Sequence, residues 1–140
     1  MARNKYRDYL KRVPLFRDLD ARELDAVAAV VTDMHLDAGR VLIRQGDFAH
    51  EMFIVSAGEL EVARDGKHVA DIGPGSFAGE MAVLARTTRN STVTAKTDVD
   101  VLHIDGRALQ KLFADVPEIA VKMLPIVAGR VVESSDHHTD

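Results

Sequence analysis

The spacing of hydrophobic residues changes twice along this 140-residue chain. Near the N-terminus apolar residues recur every three or four positions, which predicts amphipathic helices. From Met34 apolar and polar residues alternate in short segments, as in strands with one buried face. After Ile104 the helical spacing returns. The pattern predicts helices, then a β domain, then helices.

A helical pair is predicted over residues 4–31. The first helix should end at Pro14, because proline disfavours the α conformation of the residue before it. The second begins with a capping box, in which Asp20 and Glu23 satisfy each other's backbone N–H groups. Its apolar spacing continues to Val31, where the helix should end.

Short alternating segments fill residues 34–104, separated by turn residues at close intervals. The clearest segments are 41–43, 52–55, 60–62, 69–72, 91–96 and 99–104. Asp65-Gly66 is a strong hairpin signal, since both residues tolerate the positive φ of a two-residue turn. About eight short strands with such turns predict a mainly β fold, a β-roll or jelly roll with flanking helices.

Two C-terminal helices are predicted over residues 106–133. Asp105 can cap the first, and Pro117 suits the first turn of the second, where its missing N–H is not needed. Pro125 and Gly129 should kink, shorten or weaken that second helix. The polar residues 134–140 are expected to form a disordered tail.

Composition excludes several classes of protein. With 46% hydrophobic and 29% charged residues, the chain is typical of one soluble globular domain. The absence of cysteine excludes disulfides and cysteine-ligated metals. A net charge of −4 argues against nucleic-acid binding. No segment suggests a membrane span or a secretory signal, so a cytoplasmic protein is expected.

One segment interrupts the strand pattern, residues 75–95, with the sequence GSFAGEMAVLARTTRNSTVTA. Residues 81–85 suffice for about one helical turn, whose N-terminus would offer free N–H groups to an anion. Glu80 stands just ahead of that turn, and Arg89, with a planar guanidinium suited to phosphate, follows it. The segment predicts a pocket for a small, hydroxylated phosphate ligand.

This segment resembles the phosphate-binding cassette of the cyclic nucleotide-binding domain family. The family pattern is roughly F-G-E-[LM]-A-L, a short loop and P-R-x-[AS]-T-V. The chain carries GEMAVL and RNSTV with the Glu-to-Arg interval intact. The likeness extends over nearly the whole chain, including QGD at 45–47 and FIVSAGELEV at 53–62. The chain departs from the pattern at Thr88, which replaces proline, and at Asn90.

The resemblance implies a cAMP or cGMP ligand and a role for individual residues. Arg89 would bind the phosphate, Glu80 the ribose 2′-hydroxyl, and Gly79 would let the backbone approach the ribose. The implied ligand-binding set is Gly79, Glu80, Met81, Ala82, Arg89, Asn90, Ser91 and Thr92. Arg130 is a candidate lid residue that would stack on the base, with a solvated helix charge as the alternative.

The resemblance further implies a regulatory or sensor domain over residues 1–133, without catalytic activity, whose C-terminal helices move on binding. Asn90 favours cAMP, because cGMP-preferring members commonly carry a Thr or Ser hydroxyl directly after the arginine. The signal would pass to an effector protein or through a homodimer.

Two other functions stay open on the same fold. A protein-interaction scaffold that binds no nucleotide would show no ligand-induced rise in melting temperature. A metal-dependent cupin-like enzyme would need an H-x-H motif, which the six histidines do not form. The sequence therefore predicts neither metal ligands nor catalytic residues.

Overall fold

The computed structural model describes residues 2–79, 84 and 86–138, with side chains described over 6–79, at 84 and over 86–129. The chain divides into two compact units. The helical unit combines residues 1–29 with 110–140, and the β unit spans residues 30–109. The predicted mainly β fold with flanking helices is confirmed.

The described helices lie on both sides of the strands in sequence. They are α1 (Ala2–Lys11), a short 3-10 helix (Pro14–Phe16), α2 (Ala21–Ala28), α3 (Gly106–Asp115) and α4 (Pro117–His138). Asp105 caps α3 as predicted, its Oδ2 accepting from the Ala108 N–H at 3.2 Å. Pro117 is the first residue of α4, also as predicted.

The last helix is longer than the sequence predicts. α4 continues through Pro125 and reaches His138. Proline removes one backbone donor and its ring crowds the carbonyl four residues earlier, which can kink a helix without ending it. Residues 134–138, predicted as part of a disordered tail, are therefore helical, and residues 139–140 lie outside the described part of the chain.

The second helix is shorter than predicted. α2 ends at Ala28 rather than near Val31. Val31 instead opens the first strand, where it pairs with Ile104. Val30, Val31 and Thr32 are all β-branched, and such residues favour a pleated, partly buried strand over a helix.

The described strands form two four-stranded antiparallel sheets. They are β1 (Val31–Leu36), β2 (Val41–Ile43), β3 (Glu51–Ala57), β4 (Leu60–Arg64), β5 (Lys67–Ile72), β6 (Phe77–Ala78), β7 (Thr92–Ala95) and β8 (Val99–Asp105). Their orders are β1-β8-β3-β6 and β2-β7-β4-β5. The sequence did not predict β6, since two residues show no periodicity.

The predicted hairpin at Asp65-Gly66 is confirmed. These residues join β4 to β5 with φ values of 54° and 79°, and Arg64 pairs with Lys67 across the turn. Positive φ at both central positions matches the right-handed twist of the two strands.

The core of the β unit is built from both sheets. Its buried members are Leu36, Ile43, Phe53, Val55, Leu60, Ala78, Val93, Ala95, Val99 and Val101. Each larger side chain contributes about 1.5–3 kcal/mol through burial. Ala78, Val93 and Ala95 of this core belong to β6 and β7, the two strands that the cassette connects.

The predicted capping box of α2 is confirmed and has an additional partner. The Glu23 N–H donates to Asp20 Oδ1 at 2.8 Å, and the Asp20 N–H donates to Glu23 Oε1 at 2.9 Å. Lys122 Nζ of α4 donates to the same Oε1 at 2.6 Å. Glu23 is only 7% exposed, so one buried carboxylate both caps α2 and binds α4.

We expect Glu23→Ala to lower the free energy of unfolding more than Glu23→Gln does. Alanine removes the acceptor for the Asp20 N–H in the capping box, a loss of about 1 kcal/mol, and also the acceptor for Lys122. Glutamine keeps a neutral acceptor for both. Urea denaturation monitored by circular dichroism would measure the difference, and equal losses would contradict this role of the carboxylate.

A histidine–carboxylate group connects β1 to β8 on the surface of the β unit. His35 lies opposite Asp100 in the register, with His35 Nδ1 2.7 Å from Asp100 Oδ1. This hydrogen bond, followed by the negative charges of Asp100, Asp37 and Asp98, raises the pKa of His35 above its ordinary value.

The raised pKa of His35 predicts a defined pH dependence. Its stabilisation is fully present below the pKa of unfolded histidine and is lost as pH rises through the folded pKa. Asp100→Asn should lower the pKa of His35, as measured by NMR titration of the imidazole C–H resonances. Asp18→Asn, in the helical unit, is the control that should leave it unchanged.

Candidate functional site

The cassette predicted from the sequence connects β6 to β7 in the β unit. Glu80, Met81 and Ala82 lie outside the described residues, so the structure does not place them. Leu84 is helical, within the short turn predicted at 81–85. The predicted site residues that the structure places are Gly79, Arg89, Asn90, Ser91 and Thr92.

Arg89 is buried, with 6% of its surface exposed. Its Nη1 donates to the Gly79 carbonyl at 2.9 Å, and its Nη2 donates to the Glu51 carbonyl of β3. Buried polar groups need such partners, because an unsatisfied donor costs about 1–3 kcal/mol. Arg89 lies among polar residues in the sequence, which would suggest an exposed side chain. In the structure two backbone carbonyls instead hold its guanidinium in a buried position.

Gly79 makes room for that guanidinium. Its φ is +85°, in the left-handed region that favours glycine. A Cβ added there would lie 2.5 Å from Arg89 Nη1 and 3.2 Å from the Glu51 carbonyl oxygen. Any side chain at position 79 would therefore strain the backbone and displace Arg89. The structure places Gly79 directly against the arginine, a contact that the sequence did not predict.

The backbone of Arg89 is held from the other side by the loop between β2 and β3. The Gly46 N–H donates to the Arg89 carbonyl at 2.9 Å, and the Arg89 N–H donates to the Asp47 carbonyl at 2.8 Å. One residue earlier, Thr88 forms an isolated β-bridge with Phe48. Both backbone groups of Arg89 are therefore hydrogen-bonded to residues of the QGD motif.

The residues after Arg89 are also tied to their neighbours. Ser91 is 7% exposed and its Oγ donates to Asn90 Oδ1 at 3.0 Å. Thr92 Oγ1 accepts from the Gln45 N–H at 3.0 Å. Arg64 Nε donates to the Asn90 carbonyl at 3.2 Å. Residues 89–92 form a segment restrained along its whole length.

Several residues at this site were not predicted from the sequence, among them Gly46, Asp47, Glu51 and Arg64. Gln45, next to them, and Asp65, to which its side chain is hydrogen-bonded, were not predicted either. Glu51 contributes only a backbone carbonyl, for which the sequence carries no signal. Gln45 begins the QGD motif and Asp65 begins the predicted hairpin, so both motifs were visible. Their proximity to Arg89 depends on strand order, which local patterns do not reveal.

The predicted lid residue Arg130 belongs to α4, and its side chain lies outside the described part of the structure. Its role as a lid stays a prediction. Among the described residues, no helix is both long and apolar enough to cross a membrane.

Two groups of histidine and carboxylate side chains come within metal-binding range of each other in the described part of the chain. They are His35, Asp37 and Asp98, and Glu61, His68 and Asp71. In the second, Lys96 Nζ lies 2.7 Å from Asp71 Oδ2 and already neutralises that carboxylate. Neither group contains residues of the cassette.

A comparison with known protein families shows to which family the chain belongs. The family model described as the cyclic nucleotide-binding domain matches residues 33–116, more than half of the chain. The chain belongs to the cyclic nucleotide-binding domain family. The match includes the whole cassette and the QGD loop that holds Arg89.

Individual relatives of the chain are proteins of several kinds. The chain is 34% identical over 108 residues to a cyclic nucleotide-gated potassium channel of Rhizobium etli. It is 30% identical over 115 residues to a cAMP-dependent protein kinase regulatory subunit of Schizosaccharomyces pombe. These matches cover 77% and 81% of the chain but only 30% and 28% of the relatives. The chain thus spans less than a third of the length of these two relatives.

A solved structure matches the domain over nearly its whole length. The N-terminal domain of a transcriptional regulator from Streptomyces coelicolor is 30% identical, with a TM-score of 0.76. The match covers 92% of this chain and 96% of that domain. A domain similar to this chain therefore occurs in a channel, a kinase regulatory subunit and a transcriptional regulator.

We expect Gly79→Ala to destabilise the protein more than Gly75→Ala. Both glycines have positive φ, +85° and +89°, but an added Cβ at Gly75 meets nothing within 4 Å. Backbone strain alone costs about 1–3 kcal/mol at either position, and only Gly79→Ala also displaces Arg89. Urea denaturation of the two variants would measure the difference. Equal losses would show that contact with Arg89 adds nothing.

Proposed function

We propose that this domain binds a cyclic nucleoside monophosphate, with cAMP preferred, and acts as a regulatory module without chemistry of its own. The observation that carries the proposal is Arg89, a buried cation fixed by carbonyls of β3 and of the cassette in a domain of this family. A pre-positioned guanidinium in a region of low dielectric binds phosphate more strongly than an exposed one.

Each cassette residue has a role in the proposed complex. Arg89 binds the exocyclic phosphate oxygens, together with backbone N–H groups around Ala82 and Val83. Glu80 is repelled by the phosphate and accepts from the ribose 2′-hydroxyl. Asn90, Ser91 and Thr92 line the phosphate side of the pocket, and Arg130 closes over the base.

The preference for cAMP has two supports. Asn90, and not a hydroxyl-bearing residue, follows the arginine. The kinase regulatory subunit that the chain resembles is named as cAMP-dependent. We assign the domain to the cytoplasm, where a cyclic nucleotide signal would reach it.

The output of the module is proposed to pass through its C-terminal helices. A ligand shifts such a helix only if it binds one arrangement more tightly than the other. α4 exposes Val121 and Leu124, each 67% exposed, which suits contact with an effector protein or a second copy of the chain.

Arg89→Ala should weaken cAMP binding about 30-fold or more, because it removes charge-assisted hydrogen bonds to the phosphate. Arg89→Lys should weaken cAMP binding less, because lysine keeps the positive charge but lacks the planar guanidinium with its paired N–H donors. Isothermal titration calorimetry with cAMP and cGMP would measure the affinities of both variants and of wild type. The wild-type protein should bind cAMP more tightly than cGMP. Arg40→Ala, an exposed arginine in the turn after β1, is the control.

Circular dichroism melts must accompany these titrations, since Arg89 is buried and its loss also affects stability. A folded Arg89→Ala variant that binds like wild type would contradict the role of Arg89. A wild-type protein that shows neither heat nor a rise in melting temperature with either nucleotide would favour the interaction scaffold.

A further inference from the structure

A side chain outside the cassette connects it to the tip of the β4–β5 hairpin. The Gln45 carboxamide makes two hydrogen bonds to Asp65. Its Nε2 donates to Asp65 Oδ1 at 2.8 Å, and its Oε1 accepts from the Asp65 N–H at 2.9 Å. One donor and one acceptor are used together, a match that neither a carboxylate nor an apolar side chain of the same length provides.

The backbone of the same residue contacts the cassette. The Gln45 N–H donates to Thr92 Oγ1 at 3.0 Å, while the next two residues of its loop hold both backbone groups of Arg89. Gln45 therefore stands between the hairpin tip and the phosphate-binding segment. Fixing its side chain restrains the loop that positions Arg89.

The hairpin tip is a rigid support for this contact. Asp65 has φ 54° and Gly66 φ 79°, the two positive values of a tight turn between paired strands. Arg64, the preceding residue, reaches the Asn90 carbonyl at 3.2 Å. The tip thus restrains residues 89–92 in two ways, directly at Asn90 and through Gln45 at Arg89 and Thr92.

We propose that Gln45 and Asp65 are positioning residues for cyclic nucleotide binding, which hold the segment 89–92 in its phosphate-binding geometry. The proposal rests on the function proposed above. The two residues act through the backbone of Arg89 and the hydroxyl of Thr92. Loosening their contact raises the entropic cost of ordering the segment around the phosphate, so affinity falls.

Gln45→Met tests the contact without changing charge. Methionine has similar length and no hydrogen-bonding amide, so binding of cAMP should weaken about 3- to 10-fold, the effect of losing exposed hydrogen bonds. Affinity is measured by calorimetry at two salt concentrations, because a change in long-range electrostatics would be screened by salt and a loss of positioning would not.

A polarity exchange supplies the rescue. In Gln45→Glu/Asp65→Asn the side chain at position 65 becomes the donor and the side chain at position 45 the acceptor. The net charge is unchanged, and asparagine tolerates the left-handed conformation of the turn. This double variant should bind cAMP within about twofold of wild type. Gln45→Met/Asp65→Asn should stay as weak as Gln45→Met. Failure of the exchange to restore binding would overturn the proposed hydrogen-bond match.

Hydrogen–deuterium exchange in the ligand-free proteins tests positioning without nucleotide. The Arg89 amide, which donates to Asp47, should exchange several-fold faster in Gln45→Met and regain protection in the polarity exchange. Unchanged exchange and unchanged affinity in Gln45→Met would overturn the positioning role. If wild type bound no nucleotide, the proposed function would fail, and the exchange rates would still decide whether Gln45 positions the segment.

Discussion

The cassette depends on the burial of one positive charge. Arg89 is 6% exposed, and a buried guanidinium is tolerated only where its donors have partners. Backbone carbonyls of Gly79 and Glu51 supply two of them. This requirement explains why a glycine adjoins the guanidinium and why β3 pairs with β6 beside it, while the QGD loop holds the backbone of the same residue. The guanidinium of Arg89 is thus part of the buried structure of the β unit and not a surface charge.

Much of the fold could be predicted from the sequence, because its signals are local. The Asp65-Gly66 turn and the Asp20–Glu23 cap each combine residue chemistry with short spacing, and the structure confirms both. The errors occurred where local preference competes with longer-range structure. Val31 fits a helical stripe but pairs with Ile104 in a sheet, and α4 continues past Pro125 although proline is locally unfavourable inside a helix.

The candidate site could be predicted only in part. Glu80 and Arg89 are predicted as site residues because the cassette is contiguous and its spacing resembles a known family; of the two, the structure describes Arg89. The burial of Arg89 was missed, since it depends on a carbonyl from residue 51, and backbone carbonyls leave no trace in a sequence. Gln45 was likewise visible within QGD, yet its contact with Asp65 joins residues twenty positions apart.

At Thr88 and Asn90, where the chain departs from the family pattern, hydrogen bonds to neighbouring residues restrain the backbone. Thr88 lacks the fixed φ of proline, but its β-bridge to Phe48 restrains the same position from across the loop. Asn90 accepts from the buried Ser91 hydroxyl through Oδ1 and from Arg64 through its carbonyl. A loop held by these contacts needs no proline to keep Arg89 in place. Both residues are therefore compatible with an ordered segment around Arg89.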